Sequence, residues 1–202
     1  AAYPQITFEK TFGTIDDDEA FALAVCHDGT YIIAGITDNL YTGDPDVCLY
    51  RIGHYGGVMW SRTFVNEYAF DYAYDVIQTY DSGFVVTGKT YHNDTTQPFL
   101  LKYDKNGQFV WFKKYGSEVD EGRGYSLVEK PDSGYMISGR RDFYFADWYH
   151  RPFMLETDAE GNCTWFKIYD NIFEYSQYEA MDMCLSTENE YFMCGRFENM
   201  LV

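Results

Sequence analysis

The densest run of potential metal ligands is Asp16-Asp17-Asp18-Glu19. With Asp71, Asp120 and Glu121 at comparable places further along, it offers the oxygen donors that Ca²⁺ takes, but without the spaced ligands and glycine of a calcium loop. A solvated acidic loop accounts for the same residues, and Ca²⁺ is the only cofactor the sequence suggests. The four His (His27, His54, His92, His150) fall in different stretches, with no His-x-x-x-His or Cys-x-x-Cys pair for zinc. Ser is sparse and no nucleophile-elbow motif occurs. Among the five Cys, Cys184 and Cys194 lie at nearly equal distances from a turn near Asn189, so a cross-strand disulfide is one expectation and two buried thiols the other.

Aromatic side chains beside carboxylates form a second chemical class. Tyr41 and Asp44, Tyr91 and His92, then Phe143, Tyr144, Trp148 and Tyr149 fall in connecting segments that the sequence reads as long loops. A ring can stack on the apolar face of a pyranose while a carboxylate accepts its hydroxyl protons. Equally, such rings pack under their own loops or against another subunit. Two carboxylates meeting on that surface could cleave a polysaccharide, so a glycoside hydrolase or lyase is the enzymatic alternative. Asn93-Asp94-Thr95 and Asn162-Cys163-Thr164 fit the glycosylation acceptor pattern.

Composition narrows the partners. In 202 residues there are 32 acidic and 15 basic side chains, a formal net charge of -17. Nucleic acid needs clustered Lys and Arg, and an anionic membrane surface needs the same. No stretch approaches the roughly 20 apolar residues of a membrane span. The start, Ala1-Ala2-Tyr3-Pro4, would suit a mature secreted terminus. An aromatic share of 20% leans toward strands.

The elements that carry these residues are set by a repeat. Trp60, Trp111 and Trp165 recur about every fifty residues, each followed by a basic residue (Arg62, Lys113, Lys167) and an aromatic (Phe64, Tyr115, Tyr169). Phe8, Lys10 and Phe12 repeat the pattern near the start. Each repeat then holds strand A (Ala20, Ala73, Gly124 or Ala180 followed by Phe21, Tyr74, Tyr125 or Met181), a turn such as Asp81-Ser82-Gly83, and strand B such as Phe84-Val85-Val86-Thr87-Gly88. Strand C and the Trp strand D follow. Three adjacent apolar residues in strand B require cover on both faces, which neighbouring blades provide.

The expectation is an all-β chain, one β-propeller domain over 1–202 with about four four-stranded blades: repeats 13–65, 66–116, 117–170 and an incomplete 171–202, in which Arg196 to Val202 would be a stub of strand C with no strand D. The last blade would gain its strand D from residues 6–12 of the same or a neighbouring chain, unless the chain is a fragment of a longer propeller.

These repeats resemble secreted and surface-attached prokaryotic β-propellers with the unit D-x-A, D-x-G-Y-[IV]-[IV]-x-G, [FL]-L-x-K-x-D-x-x-G-x-x-x-W-x-K-x-[FY]-G. Residues 81–88 with 99–107 and 111–116 are the best copy; Ile52-Gly53-His54 departs from it. The resemblance implies the fold and an extracellular address, and no activity. The expected function is a non-catalytic extracellular structural or interaction protein, in its sharper form a self-assembling surface or fibre subunit. Its partners would be further copies or other surface proteins, and glycans in the alternative, lectin-like reading.

Overall fold

The computed structural model describes residues 9–15, 17–38, 43–66, 69–116, 121–144, 148–170 and 176–199. They form fourteen strands in four antiparallel sheets. Sheet I is β1 (Asp18–Val25), β2 (Tyr31–Asp38), β3 (Pro45–Ile52) and β4 (Val58–Phe64); sheet II is β5 (Phe70–Gln78), β6 (Phe84–His92), β7 (Thr95–Tyr103) and β8 (Phe109–Lys114). Sheet III is β9 (Glu121–Glu129), β10 (Tyr135–Tyr144), β11 (Trp148–Thr157) and β12 (Cys163–Ile168), and sheet IV is the hairpin β13 (Ser176–Leu185) with β14 (Tyr191–Asn199). Strands adjacent in the chain are adjacent in the sheet.

The repeat is reproduced down to backbone irregularities. The first strand of every sheet carries a bulge that leaves Phe21, Tyr74, Tyr125 or Met181 out of the ladder. Opposite it stands the glycine that closes the strand-B motif. A Cβ on Gly88 would come within 1.8 Å of the Tyr72 carbonyl oxygen, and Gly35, Gly139 and Gly195 are equally tight. Glycine is therefore required by space at this position.

Each sheet lays its first strand across the preceding one: β5 packs on β1, β2 and β3, β9 on β5, β6 and β7, and β13 on β9, β10 and β11. Both faces of strand B are used, as its apolar run requires. Ile32, Ala34 and Leu49 of sheet I meet Val76, Phe84 and Val86 of sheet II. Val85 and Leu100 meet Leu127, Tyr135 and Ile137. Met136 and Met154 meet Met183, Tyr191 and Met193.

The recurring tryptophan is an intersheet residue. Trp60 lies on Gly107 and Trp111 on Gly161, each glycine sitting in the C-to-D turn of the next sheet at φ +72 and +76. Arg62 donates to the Gly107 carbonyl at 2.6 Å, Lys113 to Asn162 Oδ1 at 2.5 Å, and the Tyr115 hydroxyl to the Gly161 carbonyl at 2.9 Å. At the other end the amide of His27 donates to Gln78 Oε1 and that of Tyr80 to Glu129 Oε2, both at 2.7 Å. The matching pair between sheets III and IV is Pro131 and Leu185, so donor and acceptor vanish together.

Four expectations change. Of the closing strand 6–12, residues 6–8 lie outside the described residues, and Glu9–Phe12 form no ladder: they lie on sheet I, with Phe12 6.0 Å from the Tyr50 ring. Arg196 to Asn199 continue β14 instead of starting a strand C. The supposed long loops after strand B are, in sheets II and III, extended hairpins; β6 and β7 are joined by Asn93-Asp94 alone, both with positive φ (50 and 59), a two-residue turn whose twist matches the ladder. Finally, the turn centres the last hairpin on Glu188, which places Cys184 opposite Phe192 and Cys194 opposite Asp182. The two cysteines are diagonal and free, because diagonal partners stand about 7–8 Å apart, beyond disulfide reach.

Candidate interaction surface

The sequence-predicted aromatic residues gather where strand B leaves each sheet, but they engage one another. Tyr91, next to last in β6, donates its hydroxyl to Asp94 at 2.9 Å, with the Phe70 ring 5.8 Å away. Phe143 stacks on Tyr149 across β10 and β11, centroids 5.2 Å apart. Tyr144 and Trp148 are paired in backbone register; their side chains, like all of Tyr41, lie outside the described residues. Asp44 is half-buried just before β3, and His92 pairs with Thr95 beside the turn.

The calcium candidates are not brought together. Asp16 lies outside the described residues, Asp17 is exposed, and Asp18 is occupied locally, accepting the Thr14 amide and hydroxyl. Among the described residues no group of three or more His, Cys, Asp or Glu side chains could hold a metal ion. The glycosylation candidates differ: Asn93 sits on an exposed turn, whereas both amide atoms of Asn162 are engaged, Nδ2 with Asp158 and Oδ1 with Lys113.

A layer not singled out from the sequence carries most of the chemistry. Beside each invariant small pair (Ala20–Gly35, Ala73–Gly88, Gly124–Gly139, Ala180–Gly195) the next register pair is variable: Glu19–Ile36, Tyr72–Lys89, Arg123–Arg140, Glu179–Arg196. The scaffold positions repeat and their neighbours do not, which was the signal available. Three of these sheets meet through that layer. Lys89 lies 4.1 Å over the Tyr72 ring, and Arg140 pairs with Glu179 of sheet IV. At the centre Asp142, with 3% of its side chain exposed, takes Arg140 at 2.9 Å, Arg123 at 3.3 Å and His150 Nδ1 at 2.7 Å. Arg151 covers the Tyr149 and Tyr178 rings at 4.8 and 5.9 Å. The bulged residues complete the floor, Phe21 to Tyr74 at 5.9 Å and Tyr74 to Tyr125 at 5.3 Å.

Burial alone would raise the Asp142 carboxyl; its contact with His150 and the charges of Arg140 and Arg123 outweigh that and hold it below the ordinary range. Lys89 is lowered, first by burial and then by Arg123 and Arg140. Burial pushes the Tyr74 phenol up to about 12, against a smaller opposing pull from Arg123. Tyr74 and Tyr125, both raised by burial, are neutral donors and acceptors at physiological pH, Asp142 is a fixed anion, and the cations are crowded.

No family model and no curated protein matches the chain. Among solved structures, it is similar to a protein of unknown function from Bacteroides caccae, at 10% identity and a TM-score of 0.28, over 75% of this chain and 68% of that one.

Proposed function

We propose that the chain is a non-catalytic interaction module of β-propeller type, working outside the cell, whose four sheets are blades around a common axis. The observation that carries this reading is the variable layer itself: Tyr72, Lys89, Arg123, Arg140 and Glu179 stand on an otherwise repeated framework, with Arg123 and Arg140 held by the buried Asp142 within sheet III and Arg140 reaching Glu179 of sheet IV. The succession of Phe21, Tyr74 and Tyr125 in ring contact supports an axis running past the bulged residues. Tyr and Arg are the residue types that dominate protein interfaces. A carboxylate held ionised by three neighbours makes a poor general acid, and Asp71, raised to about 6, is fully buried and out of a substrate's reach.

The test is binding of labelled protein to intact cells and isolated surface fractions, comparing wild type with Lys89→Glu combined with Tyr72→Ala. Loss of binding in the variant with an unchanged circular dichroism spectrum is expected. Equal binding by both proteins would discard this surface. The lectin-like reading is favoured by the Tyr149 ring lying under Arg151 and next to His150. A glycan array with Tyr149→Ala as control decides it.

A further inference from the structure

The three internal junctions define what a junction surface of this repeat looks like. At the centre of the receiving face stand Val76, Leu127 and Met183, exposed to 2, 2 and 6%. The same register position in sheet I is Leu23, exposed to 62%, with Phe21 and Val25 exposed beside it. At the centre of the donating face stand Ile32, Val85 and Met136, exposed to 0, 0 and 5%; the same position in sheet IV is Phe192, exposed to 57%, with Cys194 and Cys184 exposed beside it. Sheets I and IV thus present, uncovered, the two halves of one interface that the molecule builds three times.

A polar detail repeats as well. Asp75 of sheet II accepts the Leu127 amide of sheet III at 2.9 Å, and Ser126 at the same position in sheet III accepts the Met183 amide of sheet IV at 3.3 Å. Sheet IV keeps the acceptor, Asp182. Its Oδ1 serves Met183 and Ser126, and no partner for its Oδ2 is found among the described residues. The donor that would complete the series is the amide of Leu23. The extents match too: among the described residues sheet IV has the two inner strands, and the outer part of the sheet I face, at Ile33, Cys48 and Tyr50, is lined by Glu9–Phe12.

We propose that the donating face of sheet IV docks on the receiving face of sheet I of a second copy of this chain, Phe192 against Leu23 and Asp182 accepting the Leu23 amide. The contact is heterologous, so it closes into a ring or grows. Two copies place eight sheets in sequence, within the range that closed propellers occupy. It uses sheet faces and so differs from donation of an N-terminal strand. It also stands apart from the variable layer and holds or fails independently of that surface's partner.

Sedimentation velocity on wild type, Leu23→Asp and Phe192→Asp tests it. Both replacements fall on exposed positions, and circular dichroism verifies their fold. Wild type is expected to associate at high micromolar concentration, each variant alone to be monomeric, and an equimolar mixture to form a one-to-one dimer, because each supplies the face the other lacks. Asp182→Ala should weaken association about tenfold. Thiol labelling of Cys194 should be fast in Phe192→Asp and slow in assembled wild type. A monomeric wild type overturns the proposal, whether its Cys194 labels fast, as on an open face, or slowly, as in closure within one chain. A mixture of variants that stays monomeric overturns it equally.

Discussion

Two buried aspartates have opposite effects on stability. Asp71 is fully buried in β5, and burial lifts its carboxyl from 3.8 to about 6, with Thr90, Asn66 and Lys114 opposing the shift and Asp46 adding to it. A carboxyl raised in the folded state favours folding while both states hold the proton, below about pH 4, and that advantage is lost as pH climbs through 6. The neutral isostere Asp71→Asn should therefore leave stability unchanged at about pH 3 and raise it by about 3 kcal/mol at about pH 8, from two pKa units at roughly 1.4 kcal/mol each. Denaturant melts at the two pH values check this, and an equal change at both would refute the assignment. Asp142 behaves in the opposite sense. Its carboxyl is lowered, so its contribution is present at neutral pH and lost on acidification through its folded pKa. Asp142→Asn leaves Arg123 and His150 without their carboxylate and Arg140 with Glu179 alone, and should cost about 3–5 kcal/mol at pH 7, as removal of one partner from a buried ion pair does. The deficit should shrink as the pH falls from the ordinary carboxylate value of 3.8 through the lowered folded one.

At the scale of the strand and turn, one residue type in one repeat position has unequal worth. Trp111 lies on Gly161 of the following sheet, while Trp165, with 41% exposure, faces no such turn glycine among the described residues. Trp111→Ala should cost about 2–3 kcal/mol, below the usual figure for a fully buried tryptophan, and Trp165→Ala less than about 1 kcal/mol. Paired chemical melts would show whether the intersheet glycine sets the difference; equal losses would mean that it does not. The repeat made strand order and most strand positions legible, because turn residues and apolar runs recur at fixed offsets. What escaped was decided by one-residue geometry. Asn93-Asp94 is a hairpin turn signal inside a segment that reads as polar loop, and the cysteine register shifted because the turn centres on Glu188. The candidate surface was less legible still. The aromatic residues were found at the hairpin ends, but Arg123, Arg140 and Glu179 carry no motif: the register of β9 and β10 brings the two arginines to Asp142, and the stacking of sheet IV on sheet III brings Glu179 to Arg140.

For the whole molecule, contacts run from each sheet to its neighbours, so stability should be distributed as in a linear array, as a sum of sheet and junction contributions. Sheets II and III are held on both faces. Among the described residues, sheet I is left open on its receiving side, apart from Glu9–Phe12, and sheet IV has two strands and one junction. Amide hydrogen exchange under native conditions should follow that order, slowest in β6, β7 and β10, faster in β1, and fastest in β13 and β14, where opening costs the single junction built on Met136, Met154 and Met183. The order should also depend on concentration in a particular way. If Phe192 and Leu23 meet across copies, raising protein concentration adds protection to β13, β14 and β1 by mass action and leaves β6 and β10 unchanged, since their junctions are already made. Uniform exchange across all four sheets at every concentration would instead mean that the chain opens as one cooperative unit, and the additive description of its junctions would be wrong.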